Sequence, residues 1–222
     1  MKQGSNIARR RKSALADGSA DYKVKRDEIV KAASRLFKER GYKSTTLAHV
    51  AEVAGVDRAT VYYYVGSKEE LFREAVQDQV NKNATKAQHI FKTKNLDARQ
   101  KLTQLVETLM CSFEEHYPHM YVYIQEEMHQ VEGDDSEWAQ NMSRHTRRWE
   151  TVFISLVKEG IAQGIFRSDI PASVSVNALF GMLNWTHRWF KPGGKRNAQE
   201  IAAYFCEIFF TGMQRPPPVT KA

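Results

Sequence analysis

The chain has 222 residues, of which 42% are hydrophobic and 27% are charged, and its net charge is +7. This length suits one or two domains with a sizeable core, and no apolar run reaches the ~18 residues that a membrane span needs. With only Cys111 and Cys206, and no apolar segment behind the basic N-terminus, the sequence excludes a disulfide framework and a secretion signal and predicts a cytoplasmic protein.

The positive charge is concentrated at the N-terminus. Residues 1–26 contain eight basic and two acidic residues, a net charge of +6, so the rest of the chain carries only +1. We predict a flexible basic arm at residues 1–22, which indicates a polyanionic partner. A solvated tail without a partner is the alternative.

Helical periodicity begins directly after the arm. The segment 26–41 places a row of apolar residues on one face, and Gly41 supplies the C-terminal stop. The members of this row are Ile29, Ala32, Ala33, Leu36 and Phe37. The sequence therefore predicts a first amphipathic helix.

Three capping signals predict the next three helices. Thr45 or Thr46 can cap a short second helix, and Asp57 can cap a short third one. Ser67 and Glu70 have the spacing of a capping box, which opens a long fourth helix toward residue 90.

The remaining helices are predicted from periodicity and from proline, glycine and capping residues. They cover 97–116, 118–131, 135–163, 171–190 and 197–213. No segment alternates with period two for long enough to form a strand. The sequence predicts an all-α fold of about nine helices, followed by a disordered tail at 215–222.

The second and third helices have the pattern of a helix-turn-helix. Gly55 accepts the positive φ that a tight turn needs, and Ala51 is small enough for a close helix crossing. The other inward positions are all apolar. They are Val50, Ala54, Val56 and Val61.

Three consecutive tyrosines follow on the third helix. Successive helical side chains project about 100° apart, so one core cannot bury all three. Because Val61 and Val65 face inward, the opposite face suits a DNA major groove. The predicted DNA contacts are Thr45, Thr46, Arg58, Ala59, Thr60, Tyr62, Tyr63, Tyr64 and Lys68. The alternative is that the tyrosines pack on neighbouring helices.

Residues 27–72 resemble the DNA-binding headpiece of the TetR family of bacterial transcriptional regulators. The matching residues are Phe37, Gly41, Thr45, Thr46, Ala54, Gly55, Val56, Thr60, Tyr62, Tyr63, Ser67, Lys68 and Glu69. The resemblance implies a headpiece at 23–72, a ligand-binding and dimerisation domain at 73–214, and a homodimer that binds a near-palindromic operator, usually as a repressor. Asp57, Tyr64, Val65 and Gly66 depart from the family pattern and leave the operator sequence open. The arm at Arg9–Lys12 would then add a loose, sequence-independent DNA contact.

The last two helices are broadly apolar, which is too wide a stripe for helices covered on one side only. We predict that they pair with their two-fold copies in the homodimer. The alternative is that these residues form the core of a monomer.

The larger domain carries aromatic and methionine side chains that suit an apolar ligand, together with arginines beside tryptophans. The predicted ligand residues are Met110, Phe113, Tyr123, Arg148, Trp149, Trp185 and Arg188. Short segments such as 123–127 and 188–194 resemble the TetR subgroup that controls lipid and steroid catabolism. That resemblance implies a small apolar effector or an acyl-CoA thioester.

Two other functional classes are alternatives to a regulator. An enzyme is disfavoured because Glu126 and His129 supply only half of a di-iron motif, and because His116 and His119 straddle a proline. No cofactor and no metal are therefore predicted. The second alternative is a helical adaptor that binds protein and has no sequence-specific contact with DNA.

Overall fold

The computed structural model describes residues 20–117, 120, 123–124 and 136–214. Within these residues the fold consists of eight α-helices, and the β pairing is one isolated bridge between Phe166 and Gln214. The helices are α1 (Ala20–Arg40), α2 (Leu47–Val53), α3 (Arg58–Tyr64), α4 (Lys68–Lys92), α5 (Ala98–Glu115), α6 (Glu137–Ala162), α7 (Ala172–Trp185) and α8 (Ala198–Met213), and a 3-10 turn at Thr186–Arg188 follows α7. The all-α prediction is confirmed.

Several sequence-based predictions fall on residues outside this description. They concern residues 1–19 of the predicted arm, which include Arg9–Lys12, the tail 215–222 and most of the helix at 118–131. The chain divides into two compact units, Met1–Asp78 with Pro118–Met120 and Gln79–Tyr117 with Tyr121–Ala222, so the division falls within α4.

The first unit is built around α1. The predicted stripe of α1 is buried throughout, and Gly41 ends the helix with a φ of 80° while its amide bonds to the Phe37 carbonyl. The helix begins at Ala20 and not at residue 26 as predicted. Its first turn is anchored by Tyr22, which is only 6% exposed because its ring packs on Tyr63 and Tyr64.

The second unit buries an apolar core between α5, α6, α7 and α8. Its fully buried side chains include Leu102, Leu105, Met110, Phe153, Leu156 and Leu179. One charged contact crosses this packing, since the ammonium of Lys101 on α5 lies 3.1 Å from the carboxylate of Glu159 on α6. Lys101 is itself 7% exposed, so the ion pair fixes α5 against α6 at one register.

A buried polar cluster joins α4 to α5. The amide nitrogens of Gln79 and Asn83 donate to the hydroxyl oxygen of Ser112, at 3.1 and 2.8 Å. The Gln79 amide also donates to the Asn83 oxygen at 3.0 Å. All three side chains are buried, and their mutual hydrogen bonds offset the cost of removing them from water.

The last two helices divide their apolar residues between the core and the surface. Leu179, Leu183 and Phe209 are buried, whereas Trp185 and Ile208 are 58% and 61% exposed. Helix α7 also ends at Trp185 and not at the predicted residue 190, because the chain tightens there into the 3-10 turn. None of the described helices is both long and apolar enough to cross a membrane.

Candidate functional site

The turn between α2 and α3 has the predicted geometry. Gly55 has a φ of 64°, which favours glycine over residues with a side chain. The Val56 amide bonds to the Ala51 carbonyl at 3.0 Å, which closes the turn. Val50, Ala51 and Val61 are buried beneath it, so α2 and α3 form a helix-turn-helix.

Helix α3 is fixed at its first turn by Asp57. The carboxylate accepts hydrogen bonds from the backbone amide and the hydroxyl of Thr60, at 2.7 and 3.0 Å. These bonds, the backbone one foremost, lower the pKa of Asp57 below its ordinary value. The Thr60 hydroxyl thus donates within the helix, and its lone pairs are left to accept a bond from a partner.

The outward face of α3 presents Arg58, Ala59 and Tyr62 to solvent. Arg58 and Ala59 are exposed and Tyr62 is 40% exposed, whereas Val61 and Val65 are fully buried on the opposite side. This alternation leaves a short helix with a cation, a small residue and a phenol on one free face. Such a face has the size and chemistry that major-groove recognition requires.

Tyr63 and Tyr64 pack on a neighbouring helix, which the sequence analysis gave as the alternative to a DNA contact. Their rings are half-buried and meet edge to face, with centroids 5.0 Å apart. Both also pack on Tyr22 of α1, at 5.8 and 4.7 Å. These contacts hold α3 against α1, and a DNA contact by either residue stays a prediction.

Two of the predicted threonine contacts differ in exposure. Thr46 is exposed and caps α2 by accepting from the His49 amide at 3.3 Å. Thr45 is 1% exposed, and its hydroxyl donates to the Gly41 carbonyl at 2.9 Å. The prediction of a DNA contact from the Thr45 side chain is therefore wrong, because this hydroxyl closes the loop between α1 and α2.

Lys68 lies at the start of α4, as predicted, and contacts Tyr42. Its ammonium donates to the Tyr42 carbonyl at 3.0 Å and lies 4.3 Å from the centre of the Tyr42 ring. An ammonium has three N–H donors, so a phosphate contact remains open to Lys68. Tyr42 thus supports a predicted DNA contact, a role that the sequence reasoning missed.

Sequence reasoning also missed Tyr22 and Arg26 on α1. Arg26 donates to the Tyr64 carbonyl at 3.3 Å and to Glu70 at 3.0 Å. Part of the signal was present in the sequence, because positions 22 and 26 continue the row of Ile29 and Ala33 by about two more turns toward the N-terminus.

The predicted ligand residues fall into two groups in the second unit. Met110, Phe113, Tyr123 and Trp149 are all buried, at 8% exposure or less. Trp185 and Arg188 lie apart from them at the surface, where the guanidinium covers the indole ring at 5.4 Å. The sequence grouped these residues in one site, and the exposure of Trp185 separates it from the buried set.

Arg148 lines a groove of about 630 Å³ along α6. The groove is lined by Asn141, Arg144, His145, Arg147, Arg148, Thr151 and Val152. Neither Arg147 nor Arg148 has an ion-pair partner among the described carboxylates. Burial, and then the nearby Arg148 and Arg144, lower the pKa of His145 and favour its neutral form. Because its cations are the arginines Arg144, Arg147 and Arg148, the groove is suited to an anion.

A second cavity, of about 420 Å³, lies beside the buried polar cluster. Its lining includes Gln79 and Ser112 together with Lys86, Glu107 and Cys111. This lining mixes charges of both signs. Burial raises the pKa of the Cys111 thiol, so the cysteine is not an activated nucleophile.

Among the described residues, no group of three or more histidine, cysteine, aspartate or glutamate side chains could hold a metal ion. The motif of Glu126 and His129, and His119 of the second pair, lie outside these residues.

Two family models match most of the chain. Residues 29–75 match the model described as bacterial regulatory proteins, tetR family. Residues 95–213 match the tetracyclin repressor-like C-terminal domain.

Individual proteins of known name are similar over nearly the full length. The HTH-type transcriptional repressor KstR2 of Mycolicibacterium smegmatis is 27% identical over 192 residues, which cover 85% of this chain and 90% of the relative. The structure of the ketosteroid transcriptional regulator KstR2 of Mycobacterium tuberculosis has a TM-score of 0.72 at 21% identity and covers 86% of this chain and 95% of its own. The regulator FadR of Bacillus subtilis, solved in complex with stearoyl-CoA, has a TM-score of 0.65 at 18% identity, with coverage of 84% and 98%.

Proposed function

Because the chain belongs to the TetR family of bacterial transcriptional regulators, we propose that it is a repressor that binds a near-palindromic operator and is released by a small effector. Members of this family are DNA-binding transcription factors and not enzymes. The repressor reading is supported by the similarity to KstR2 repressors, which extends over both units.

The observation that carries the DNA-binding proposal is the solvent-exposed outward face of α3. Arg58 and Tyr62 are exposed there, four residues apart, while Val61 and Val65 anchor the helix from behind. Arginine can donate two hydrogen bonds to guanine or contact phosphate, and a tyrosine hydroxyl suits a phosphate oxygen.

A nuclease footprint on DNA flanking the gene tests this proposal. We expect protection of an imperfect palindrome, and we expect Arg58→Ala to weaken operator binding by about 1–3 kcal/mol if it contacts a base. Arg35→Ala is the matched control, because Arg35 is an exposed arginine of the same unit that pairs with Glu39. Absence of protection at low salt would contradict the proposal and favour a protein adaptor.

The homodimer that the family implies needs a surface, and we assign it to the outward faces of α7 and α8. Val174, Ala178 and Trp185 are exposed along α7, and Tyr204 and Ile208 are exposed along α8. We call these five residues the exposed apolar stripe. Isologous pairing of such a surface would bury it in a four-helix interface.

We further propose an effector that joins an anionic group to an apolar chain, as an acyl-CoA thioester does. The groove with Arg144, Arg147 and Arg148 supplies cations for phosphate groups. The buried Trp149 follows Arg148 on α6 and packs on Phe153 with ring centroids 5.8 Å apart, and such aromatic side chains in the interior of the second unit suit an apolar chain. FadR with stearoyl-CoA is an example of this ligand class in a protein of the same fold.

Thermal shift measurements with a series of acyl-CoA thioesters test the effector class. We expect stabilisation by the thioesters and less by free coenzyme A or by free fatty acids. Arg147→Gln and Arg148→Gln should each reduce the shift, whereas Arg196→Gln, which removes an exposed arginine paired with Glu200, should not. No stabilisation at any chain length would rule out this class.

Release from DNA then follows from differential affinity. The effector must bind the DNA-incompetent conformation more tightly than the DNA-bound one, because equal affinity would shift nothing. The affinity for the operator, measured with and without the stabilising thioester, reports this difference in effector affinity between the two conformations.

A further inference from the structure

One side chain in the first unit joins three elements of the headpiece. The Nε atom of Arg26 on α1 donates to the carbonyl oxygen of Tyr64 at 3.3 Å. The same guanidinium donates to the Glu70 carboxylate at 3.0 Å and forms an ion pair with Glu74, both on α4. The Arg26 side chain is 18% exposed, so these contacts are partly shielded from water and salt.

The contact with Tyr64 falls on the last residue of α3. The final carbonyl groups of a helix have no partner within it, and they carry the negative end of its dipole. A helix of seven residues is too short to be stable alone, so its C-terminal end depends on outside contacts. Arg26 provides one of these, and the Tyr22 hydroxyl donates to the same carbonyl at 3.5 Å.

The contacts with α4 give the guanidinium a fixed position. Its planar fork of N–H donors can serve the carbonyl and both carboxylates at once, which a lysine ammonium does less well. Glu70 also accepts a hydrogen bond from the Gly66 amide at 2.7 Å, so it fixes the connection between α3 and α4. Burial lowers the pKa of Arg26, but the attraction of Glu74 and Glu70 outweighs it and the pKa is raised.

We propose that Arg26 is a positioning residue for operator recognition. It makes no contact with DNA itself, and it fixes the C-terminal end of α3 to the first two turns of α4. Helix α3 then presents Arg58 and Tyr62 in one orientation, and operator binding needs no reordering of the helix. This inference rests on the proposed operator binding, and it adds a residue outside the DNA-facing surface to that function.

The test compares affinities for operator and for unrelated duplex DNA over a range of salt concentrations. Arg26→Gln should weaken operator binding by at least about tenfold, the effect of losing one charge-assisted hydrogen bond. Its affinity for unrelated DNA and its salt slope should match those of the wild type. Glu74→Gln should weaken operator binding in the same selective way, and Arg26→Lys should restore part of the loss.

Arg35→Gln is the matched control, because it removes one positive charge from the same helix at an exposed position. It should leave the ratio of operator to unrelated affinity unchanged. An equal loss on both DNAs with a salt slope reduced by about one would identify Arg26 as a phosphate contact and overturn the proposal. Unchanged operator affinity in both Arg26→Gln and Glu74→Gln would also overturn it.

Hydrogen exchange of the amides in α3 tests the same inference without DNA. Arg26→Gln should speed exchange at the C-terminal end of α3, whereas Arg35→Gln should not, and equal exchange in all three proteins would overturn the proposal. If the wild type fails to bind any operator, the proposed function fails. The exchange data still decide whether Arg26 fixes α3.

Discussion

Asp57 stands at the N-terminus of α3, where its carboxylate accepts two hydrogen bonds from Thr60. A negative charge at this end also interacts favourably with the helix dipole. The TetR resemblance places serine here more commonly, and a serine would cap without charge. The carboxylate therefore strengthens the start of the recognition helix but adds a negative charge beside the proposed DNA surface.

The Asp57 cap leads to a prediction about stability and pH. The folded-state pKa is lowered, so the cap contributes above the ordinary carboxyl pKa of about 3.9 and is lost as pH falls through the folded value. We expect Asp57→Ala to lower the urea midpoint at pH 7, and the difference from the wild type to shrink below pH 4. Asp57→Asn, which keeps an acceptor, should lie between the two at pH 7. A difference independent of pH would mean that the charge of Asp57 plays no part.

At the scale of elements, the end of α6 is joined to the end of α8 by close packing. Gly160 of α6 is buried against the ring of Phe166, with no room for a Cβ. Phe166 stacks on Phe210 of α8 with ring centroids 5.8 Å apart and an interplanar angle of 5°. The Arg167 amide adds a hydrogen bond to the Met213 carbonyl at 2.8 Å. Glycine at 160 is thus required by the approach of Phe166.

We predict that Gly160→Ala destabilises the protein by about 1–3 kcal/mol, since the added methyl group must displace the Phe166 ring. The measurement is the free energy of unfolding in urea. Lys158→Ala introduces the same residue at an exposed position of α6, and we expect it to change stability by less than about 0.5 kcal/mol. Equal stability of Gly160→Ala and wild type would show that the ring moves aside without cost.

The helix bounds were predictable where their signals are local. Thr46, Asp57 and Asn197 each cap a helix through an amide three residues further on, so a short sequence window contains the whole interaction. The predicted capping box of Ser67 and Glu70 forms only one of its two hydrogen bonds. Ser67 accepts from the Glu70 amide as predicted, but the Glu70 carboxylate turns to Gly66.

The features that sequence reasoning missed depend on partners far along the chain. Tyr22 extends α1 because it packs on Tyr63 and Tyr64, about forty residues away. Thr45 is buried because its hydroxyl meets carbonyls at the end of α1. The pattern of α3 identified Val61 and Val65 as inward-facing, but it could not show which tyrosine rings α1 would cover.

For the whole molecule, the exposed apolar stripe is the main feature that a single chain leaves unexplained. Trp185, Tyr204 and Ile208 are each more than half exposed, on two neighbouring helices of the second unit. Gly181 and Gly212 lie on the exposed sides of the same helices, and a Cβ at either would meet nothing within 4 Å. Large apolar side chains beside small ones are typical of a surface that a partner helix covers.

We predict that Ile208→Glu converts a dimer into a monomer. A buried charge without a partner would oppose the interface, so the mass from sedimentation should fall from twice 25.5 kDa to 25.5 kDa. Operator affinity should fall as well, because one headpiece contacts only one half-site. Val24→Glu is the control, since Val24 is equally exposed at 59% but lies on α1. A wild type that sediments as a monomer at micromolar concentration would contradict the assignment.

The charge of the N-terminal arm leads to a prediction about salt dependence. Residues 1–19 contain five of the basic residues and precede α1. If the arm follows phosphates, its deletion should weaken binding to operator and to unrelated DNA by the same factor. The slope of log K against log salt should become shallower by about 0.9 for each phosphate that the arm neutralises in the full-length protein.

Replacing Arg9, Arg10, Arg11 and Lys12 by glutamine should reproduce the effect without shortening the chain. An unchanged slope would remove the arm from DNA binding. A weakening confined to the operator would make the arm a reader of base edges or groove shape, because phosphate contacts alone carry no sequence information.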